Sequence, residues 1–458
     1  MCVLLGGCAT VGPLPDAATV QPPARYAYAP ETAPEVPLAS LLPQADTGFV
    51  ALLVQARQSA PTLGAALARV DAARAQLQSS GANRLPNLSG NLGITTQRNS
   101  SSAIGGNLPN GAVFDVNRNQ LQSGLNASWD ADLFGGLRAS QRASSARLDA
   151  AGADAAAVRL ALECDLGLAV IDYRDANARE AVVQRDVADA QDLVRLTRIR
   201  AKAGIVPGFD VVRAEALLRD AQTRLTPFLG EKANAVGRLI SLTALDGQTI
   251  LSALGKSSVS SAPPVLASGV PSQLLRNRPD VQATERRLAA ANADVAVAAA
   301  ARFPRFSITG ALGLVALATG DIFNGKALNA SLGASVGGSI FDFGRVQADI
   351  KANEARALEA FALYRGAVFR ALGETEAVLA AQVSARDAVA AIAGRLETDR
   401  DTLAIARERY RLGIADFLTV IDTQRTLNSS RQISEANKAA AARAAVQLYR
   451  ALGGITQG

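Results

Sequence analysis

Two stretches of this chain are compatible only with very long helices. From about Gly136 to Lys202, and from about Gly344 to Arg411, there is no proline and scarcely any glycine. At 1.5 Å of rise per residue each would reach roughly 100 Å, whereas helices of globular proteins average about 11–12 residues. The second stretch carries an apolar stripe through Val346, Ile350, Ala357, Phe361, Tyr364, Val368, Leu372, Leu379, Val389, Ala393, Leu396 and Leu403. The gaps are sums of three and four, so one face stays apolar along the whole length. Lys351, Glu354, Arg356, Glu374, Arg395 and Asp399 lie on the opposite face. No single core is that long, so such helices must pack on neighbouring helices. The chain turns after Gly204 and after Gly413, and return helices are expected over about Asp210–Leu242 and Phe417–Leu452.

The chain is internally duplicated. Phe134-Gly135 recurs as Phe343-Gly344 and Gly204-Ile205 as Gly413-Ile414, both pairs 209 residues apart. Upstream, Arg84-Leu85-Pro86-Asn87-Leu88-Ser89 is echoed by Arg302-Phe303-Pro304-Arg305-Phe306-Ser307 at a slightly larger offset. Three landmarks in the same order argue for two repeats, each reading helix, strand, loop, strand, long helix, break, helix. The expected boundaries are 44–250 and 251–458.

The strands alternate strictly. Leu88, Gly90, Leu92 and Ile94 share one face of the first; Leu121, Ser123, Leu125, Ala127 and Trp129 share one face of the second. The third shows Phe306, Ile308, Gly310, Leu312 and Leu314, and the fourth Leu328, Ala330, Leu332, Ala334, Val336 and Ile340. Period two gives each strand one apolar and one polar or small face. At roughly 10 residues, each has the length of a tilted membrane-spanning strand. Strands of a sandwich core look similar. Four strands cannot close a membrane barrel, however, and lipid does not tolerate an open edge. If these strands span a membrane, several chains share one barrel, and three copies would supply twelve strands.

Composition narrows the function. Hydrophobic residues make up 49% but aromatics only 4%, so alanine, the best helix former, carries the apolar content. No run of 18 uninterrupted apolar residues occurs, and on that ground membrane-spanning helices are excluded. The formal charge of +6 is spread over helices where basic and acidic residues alternate, a solvated face rather than a nucleic-acid footprint. There is no histidine, which removes the commonest general base and metal ligand. The three cysteines, Cys2, Cys8 and Cys164, have neither metal-ligand nor disulfide spacing. No GxGxxG, Walker A, G-x-S-x-G or HExxH motif occurs, so no enzyme activity, metal or cofactor is expected.

The most specific stretch runs Leu274-Leu275-Arg276-Asn277-Arg278-Pro279-Asp280-Val281, continues Glu285-Arg286-Arg287-Leu288-Ala289-Ala290-Ala291-Asn292 and ends Arg302-Phe303-Pro304. Pro279 and Asp280 suit a first helical turn, and Pro304 ends that helix. This string resembles the NodT/OprM branch of the TolC family, outer-membrane lipoproteins of RND-type efflux systems, and the resemblance extends from about Leu41 to Gly453. It implies a mixed α and membrane-β fold: a homotrimer whose twelve-stranded outer-membrane β-barrel, four strands per chain, continues into a long periplasmic α-helical barrel girdled by an equatorial belt. It implies an efflux outlet working passively with a periplasmic adaptor and an inner-membrane RND transporter. Arg411-Leu412-Gly413 matches the family's adaptor-docking tip, and Lys202-Ala203-Gly204 stands in the equivalent place of the first half. Asp416 is the candidate for an acidic constriction, able to pair with Arg409, Arg411 or a neighbouring chain's base, although the family's acid often falls at the position of Ala415. Asp416 equally fits a helix N-cap. Pro207-Gly208 has no counterpart in the second tip.

The opening Leu5-Gly6-Gly7-Cys8 resembles a lipobox, which implies a covalent lipid such as palmitate on Cys8 and an outer-membrane anchor. Residues 1–7 are then a residual signal, too short and uncharged to be complete, so the true start is expected upstream or the chain is truncated. Residues 8–43, rich in Pro and Ala, are expected to form an extended tether. The alternatives are an ordinary cytosolic N-terminus and, for the whole chain, a lipid-anchored periplasmic coiled-coil scaffold or a type I protein-secretion outlet.

Overall fold

The computed structural model describes residues 14–21, 23, 25–28, 38–98, 117–255, 277–317 and 325–454. Cys8 with its lipobox and Leu274–Arg276 lie outside them. Among the described residues there are nine α-helices: α1 (Thr47–Ser59), α2 (Pro61–Ala82), α3 (Gly136–Lys202), α4 (Gly208–Thr223), α5 (Pro227–Thr243), α6 (Gly247–Leu254), α7 (Pro279–Ala300), α8 (Arg345–Arg411) and α9 (Phe417–Ala451). The strands are β1 (Asn87–Arg98), β2 (Asn117–Ala131), β3 (Arg305–Ala316) and β4 (Leu328–Gly337). Both long helices have 67 residues. The chain divides into two compact units, Met1–Asp16, Asp71–Asp149 and Arg286–Ala362 forming one and Ala17–Val70, Ala150–Glu285 and Leu363–Gly458 the other.

The first unit is built on a four-stranded antiparallel sheet in the order β1-β2-β3-β4. Each duplicated half contributes one hairpin, and β2–β3 is the seam between them. Leu88 lies opposite Ala127, Leu125 opposite Leu312, and Gly310 opposite Leu332. Directly opposed residues of an antiparallel pair share a face, so the four apolar stripes merge into one continuous apolar surface. The other face carries the Asn91–Asn126 amide bond of 2.9 Å and the Ser307 hydroxyl donating to Asp130 at 2.6 Å. At the seam Gly124 faces Gly313, where a Cβ would lie 2.5 Å from the Ser123 carbonyl oxygen. β4 ends at Gly337, so Ile340 lies beyond the strand expected to contain it. The Gly337-Gly338 pair weakens strand continuation there.

The Phe-Gly landmarks are strand-to-helix elbows. Gly135 has φ +77° and Gly344 φ +84°, a left-handed conformation that glycine adopts without a Cβ clash. Beside each, an aspartate caps the long helix: Asp132 accepts from the Leu137 and Arg138 amides, Asp342 from those of Gly344 and Val346. These amides hold both carboxyls below the usual aspartate range against the opposing pull of desolvation. Phe343, also at positive φ, stands out as a bulky residue in a region such residues avoid.

The second unit holds two apolar cores. One gathers Phe49, Leu52, Leu166, Val170, Leu239, Ile250 and Leu448 around α1, α3, α5, α6 and α9. Burying each such side chain contributes roughly 1.5–3 kcal/mol. The other lies toward the hairpin tips and includes Leu193, Leu217, Leu403, Phe417, Val420 and Leu427. The stripe along α8 is as expected at Ile350, Ala357, Tyr364, Val368, Leu379 and Leu403, all buried, but in its last third Ile392 is buried and Ala393 exposed. The larger side chain takes the inward position. The first return helix also departs from expectation, because it is two helices. Pro227 has no amide hydrogen to continue α4, and residues 224–226 close the gap with tight turns before α5. α8 also contains an 18-residue window apolar enough, by length and composition, to cross a membrane. The absence of uninterrupted apolar runs did not exclude this looser pattern, because alanine keeps the window apolar around scattered charges.

Candidate functional site

Three features carry functional weight: the two hairpin tips, a buried polar cluster above them in the second unit, and the apolar face of the sheet in the first.

Each tip is a tight helix-to-helix turn built on a glycine. Gly204 has φ +71° and Gly413 φ +75°. The Ile205 amide donates to the Arg200 carbonyl at 2.9 Å and the Ile414 amide to that of Arg409 at 2.8 Å, which satisfies the last turns of α3 and α8. The two tips thus close alike, as their matching Gly-Ile pairs suggest. They expose apolar side chains: Ile205, Phe209, Leu412 and Ile414 are all more than half exposed. Lys202, Ala203, Arg411 and Leu412 stand exposed around the glycines.

The tips start their return helices differently. α4 begins at Pro207 with no side-chain cap. α9 begins at Asp416, whose Oδ1 accepts from the Thr419 amide at 2.9 Å and from its hydroxyl at 2.5 Å. The Thr419 hydroxyl foremost, then its amide, hold the Asp416 carboxyl below the usual range, with Arg213 adding a smaller pull. Asp416 is therefore an N-cap in this structure, and it is fully exposed. Within this chain Arg411 reaches back one turn to Glu408 at 2.5 Å rather than to Asp416. An i, i+3 partner is already within reach of an arginine on the same helix, whereas Asp416 is turned toward its own amides.

A joint between the tips was not foreseen. Arg200 lies over the Tyr410 ring at 4.6 Å, and that ring packs on Phe417 at 5.4 Å. Tyr410 and Phe417 sit seven residues apart and could have been read as stripe positions, but nothing local singles out Arg200. The polar cluster was also missed. Asp186 is fully buried, 3.2 Å from Arg431 and 3.9 Å from Arg224. Its Oδ2 and the Arg224 Nε make no hydrogen bond. Burial raises the Asp186 carboxyl above the usual range despite both guanidiniums. Cys164 is buried, and desolvation pushes its thiol up to about 12, so it is an unreactive core residue.

On the sheet, Leu92 is 77% exposed and Leu332 85%, and Leu88, Ile94, Leu125, Leu312, Leu328 and Val336 are exposed on the same face. The β1 and β4 edges form no pairs among the described strands. A contiguous apolar face of this extent marks an interaction or membrane surface, and open edges call for a partner strand.

The comparisons with known proteins agree in direction. A family model described as outer membrane efflux protein matches residues 52–245 and 270–454. The pyoverdine export outer membrane protein OpmQ of Pseudomonas aeruginosa is 30% identical over 99% of this chain and 95% of its own length. Outer membrane protein OprJ of the same organism is 31% identical over 84% of this chain and 79% of its own. A solved structure of the outer-membrane channel OprN has a TM-score of 0.82 at 29% identity, covering 95% of this chain and 99% of that one.

Proposed function

Because the chain belongs to the outer membrane efflux protein family, we propose that three copies assemble a twelve-stranded barrel and a periplasmic helical conduit. The protein is an outer-membrane efflux channel. The observation that carries the trimeric reading is the four-stranded sheet with one predominantly apolar, exposed face and, among the described strands, two unpaired edges. In lipid such edges must pair, and a second and third copy offer β4 an antiparallel β1. The conduit gives passive exit to compounds delivered by an inner-membrane RND transporter through a periplasmic adaptor, and it contributes no chemistry of its own.

The tips are where the adaptor would dock. Lys202-Ala203-Gly204 and Arg411-Leu412-Gly413 each pair an exposed cation with a turn glycine, and Leu412 adds an exposed apolar contact. Asp416 from three copies would form an acidic ring at the periplasmic mouth, and such rings favour cations. Cys8 would carry the lipid, which adds membrane affinity to a barrel that is already its own anchor. In a form with a complete signal, Cys8→Ala should abolish incorporation of radiolabelled palmitate; persistent labelling would remove the assignment. The channel itself is tested in planar bilayers. The purified protein should give discrete, cation-preferring conductance steps, and a preparation that inserts yet conducts nothing would contradict the reading.

A further inference from the structure

The two Phe-Gly elbows are counterparts in the duplication, yet only the first finds an aromatic bed in its own chain. Phe134 stacks on Phe303, with ring centroids 4.4 Å apart, and tilts toward Phe306 at 6.3 Å. Phe303 belongs to the junction that leads into β3, across the seam from the end of β2. Phe343, at the second elbow, is 91% exposed and sits at φ +54°. Its ring partner is Phe341, at 4.5 Å, itself 75% exposed. Ile340 beside them is fully exposed. Backbone strain of this kind persists where surrounding structure enforces it, and within the chain little surrounds Phe343. The residue that echoes Phe303 in the other half is Leu85, just ahead of β1, and it too is exposed.

The strand registers show how closely the two halves superpose. Carrying β1 forward 218 residues, from 87 to 305, and β2 forward 209, from 128 to 337, turns the Asn87–Ser128 rung into Arg305–Gly337. The same shifts turn Leu88–Ala127 into Phe306–Val336 and Thr96–Asn119 into Leu314–Leu328, so the second hairpin repeats the first rung for rung. β2–β3 is the junction from the first hairpin to the second. In a ring of identical chains the next junction runs from β4 to β1 of the partner subunit. Moving β2 forward by 209 and β3 back by 218 carries Ala127–Gly310 to Val336 against the partner's Leu92. It carries Ala131–Phe306 to Ile340 against the partner's Leu88, and the Phe134–Phe303 stack to Phe343 on the partner's Leu85. A closed barrel needs one consistent stagger around the ring, and this register keeps apolar side chains opposite apolar ones.

We propose that the second elbow is completed by the partner subunit, β4 pairing with the partner's β1 in this register and Phe343 packing on the partner's Leu85. The proposal rests on the trimeric reading and fixes which residues meet in it. Such pairing carries the strand on to Ile340, where β4 of the single chain stops at Gly337. Thr95 takes the place of Gly313, opposite Gly333, so the seam between copies is the wider one at that rung. Directly opposed residues have Cα atoms about 4.5–5.5 Å apart, within disulfide reach. β1 and β4 of one chain are the two edges of the sheet, three strand spacings of about 4.8 Å apart, so a link between them joins two chains. In isolated outer membranes treated with copper phenanthroline, Val336→Cys with Leu92→Cys should give covalent trimers. Their yield should be severalfold above that of Val336→Cys with Gly90→Cys or with Ile94→Cys, and the single variants should give none. A shifted pair that links as well or better, or an intact trimer in which no pair links, would overturn the register. Phe343→Ala and Leu85→Ala should each lower the temperature at which the trimer dissociates. The double variant should fall no further than the worse single one, because the effects of residues in contact do not add. Additive losses would place Phe343 in lipid and overturn the contact, as would the absence of any loss from Phe343→Ala. A monomeric wild type would instead sink the trimeric reading on which the proposal rests.

Discussion

Asp416 can lose its charge without losing its cap. Asparagine caps a helix as well as aspartate does, so Asp416→Asn should keep the tip ordered while weakening cation preference in planar bilayers. Asp416→Ala removes both and should raise conductance as well. Unchanged selectivity in the asparagine variant would leave Asp416 as a cap and nothing more. Its carboxyl is depressed by Thr419, so the charge should persist below the ordinary aspartate value of 3.8, and cation preference should fade only as pH drops through that lower range. Asp186 behaves oppositely. Burial raises it, so the folded state holds its proton more tightly, and its contribution to stability declines as pH rises from 3.8 through the raised value. Arg431 keeps Asp189 at 3.1 Å and Arg224 keeps Asp220 at 3.3 Å without it. Asp186→Asn should therefore not lower thermal stability at neutral pH, and the difference between wild type and variant should shrink on acidification. A large loss at neutral pH would show that the Asp186 carboxylate, not its neighbours, holds the cluster. The sequence made Asp416 legible because an acid just before an apolar run is a local signal. Asp186, Arg224 and Arg431 come from distant segments, and no spacing rule joins them.

Among the elements, the seam between the duplicated hairpins is the most exacting. Gly124 and Gly313 allow β2 and β3 to approach as no side chain could, since a Cβ at residue 313 would sit 2.5 Å from backbone. Gly313→Val should therefore block assembly of the sheet, read as loss of the heat-resistant species on gels, whereas Gly333→Ala, which would meet only the Thr309 hydroxyl at 3.5 Å, should be tolerated. Equal behaviour of the two would show that the seam has slack. The four strands, the long helices and the tips were legible because each has an uninterrupted period or a glycine stop. The split of the first return helix depends on one proline and three tight turns, which a periodic reading runs through. The end of β4 was overrun because alternation continued in letters after the Gly337-Gly338 pair had ended it in space.

For the whole molecule, the controlling fact is that the described strands number four, half the count of the smallest known membrane barrel. An apolar sheet face whose edges are unpaired among the described strands is costly in water and in lipid alike, and the proposed ring of three would remove every edge. Family membership fixes the outer membrane and efflux as the setting; strand arithmetic requires more than one copy, and the proposed number is three. It is tested by the native mass of the detergent-solubilised protein together with its solubility when detergent is withdrawn. The prediction is a single species of three times the 47.3 kDa chain mass that precipitates without detergent. A monodisperse 47.3 kDa monomer, soluble in plain buffer, would contradict it.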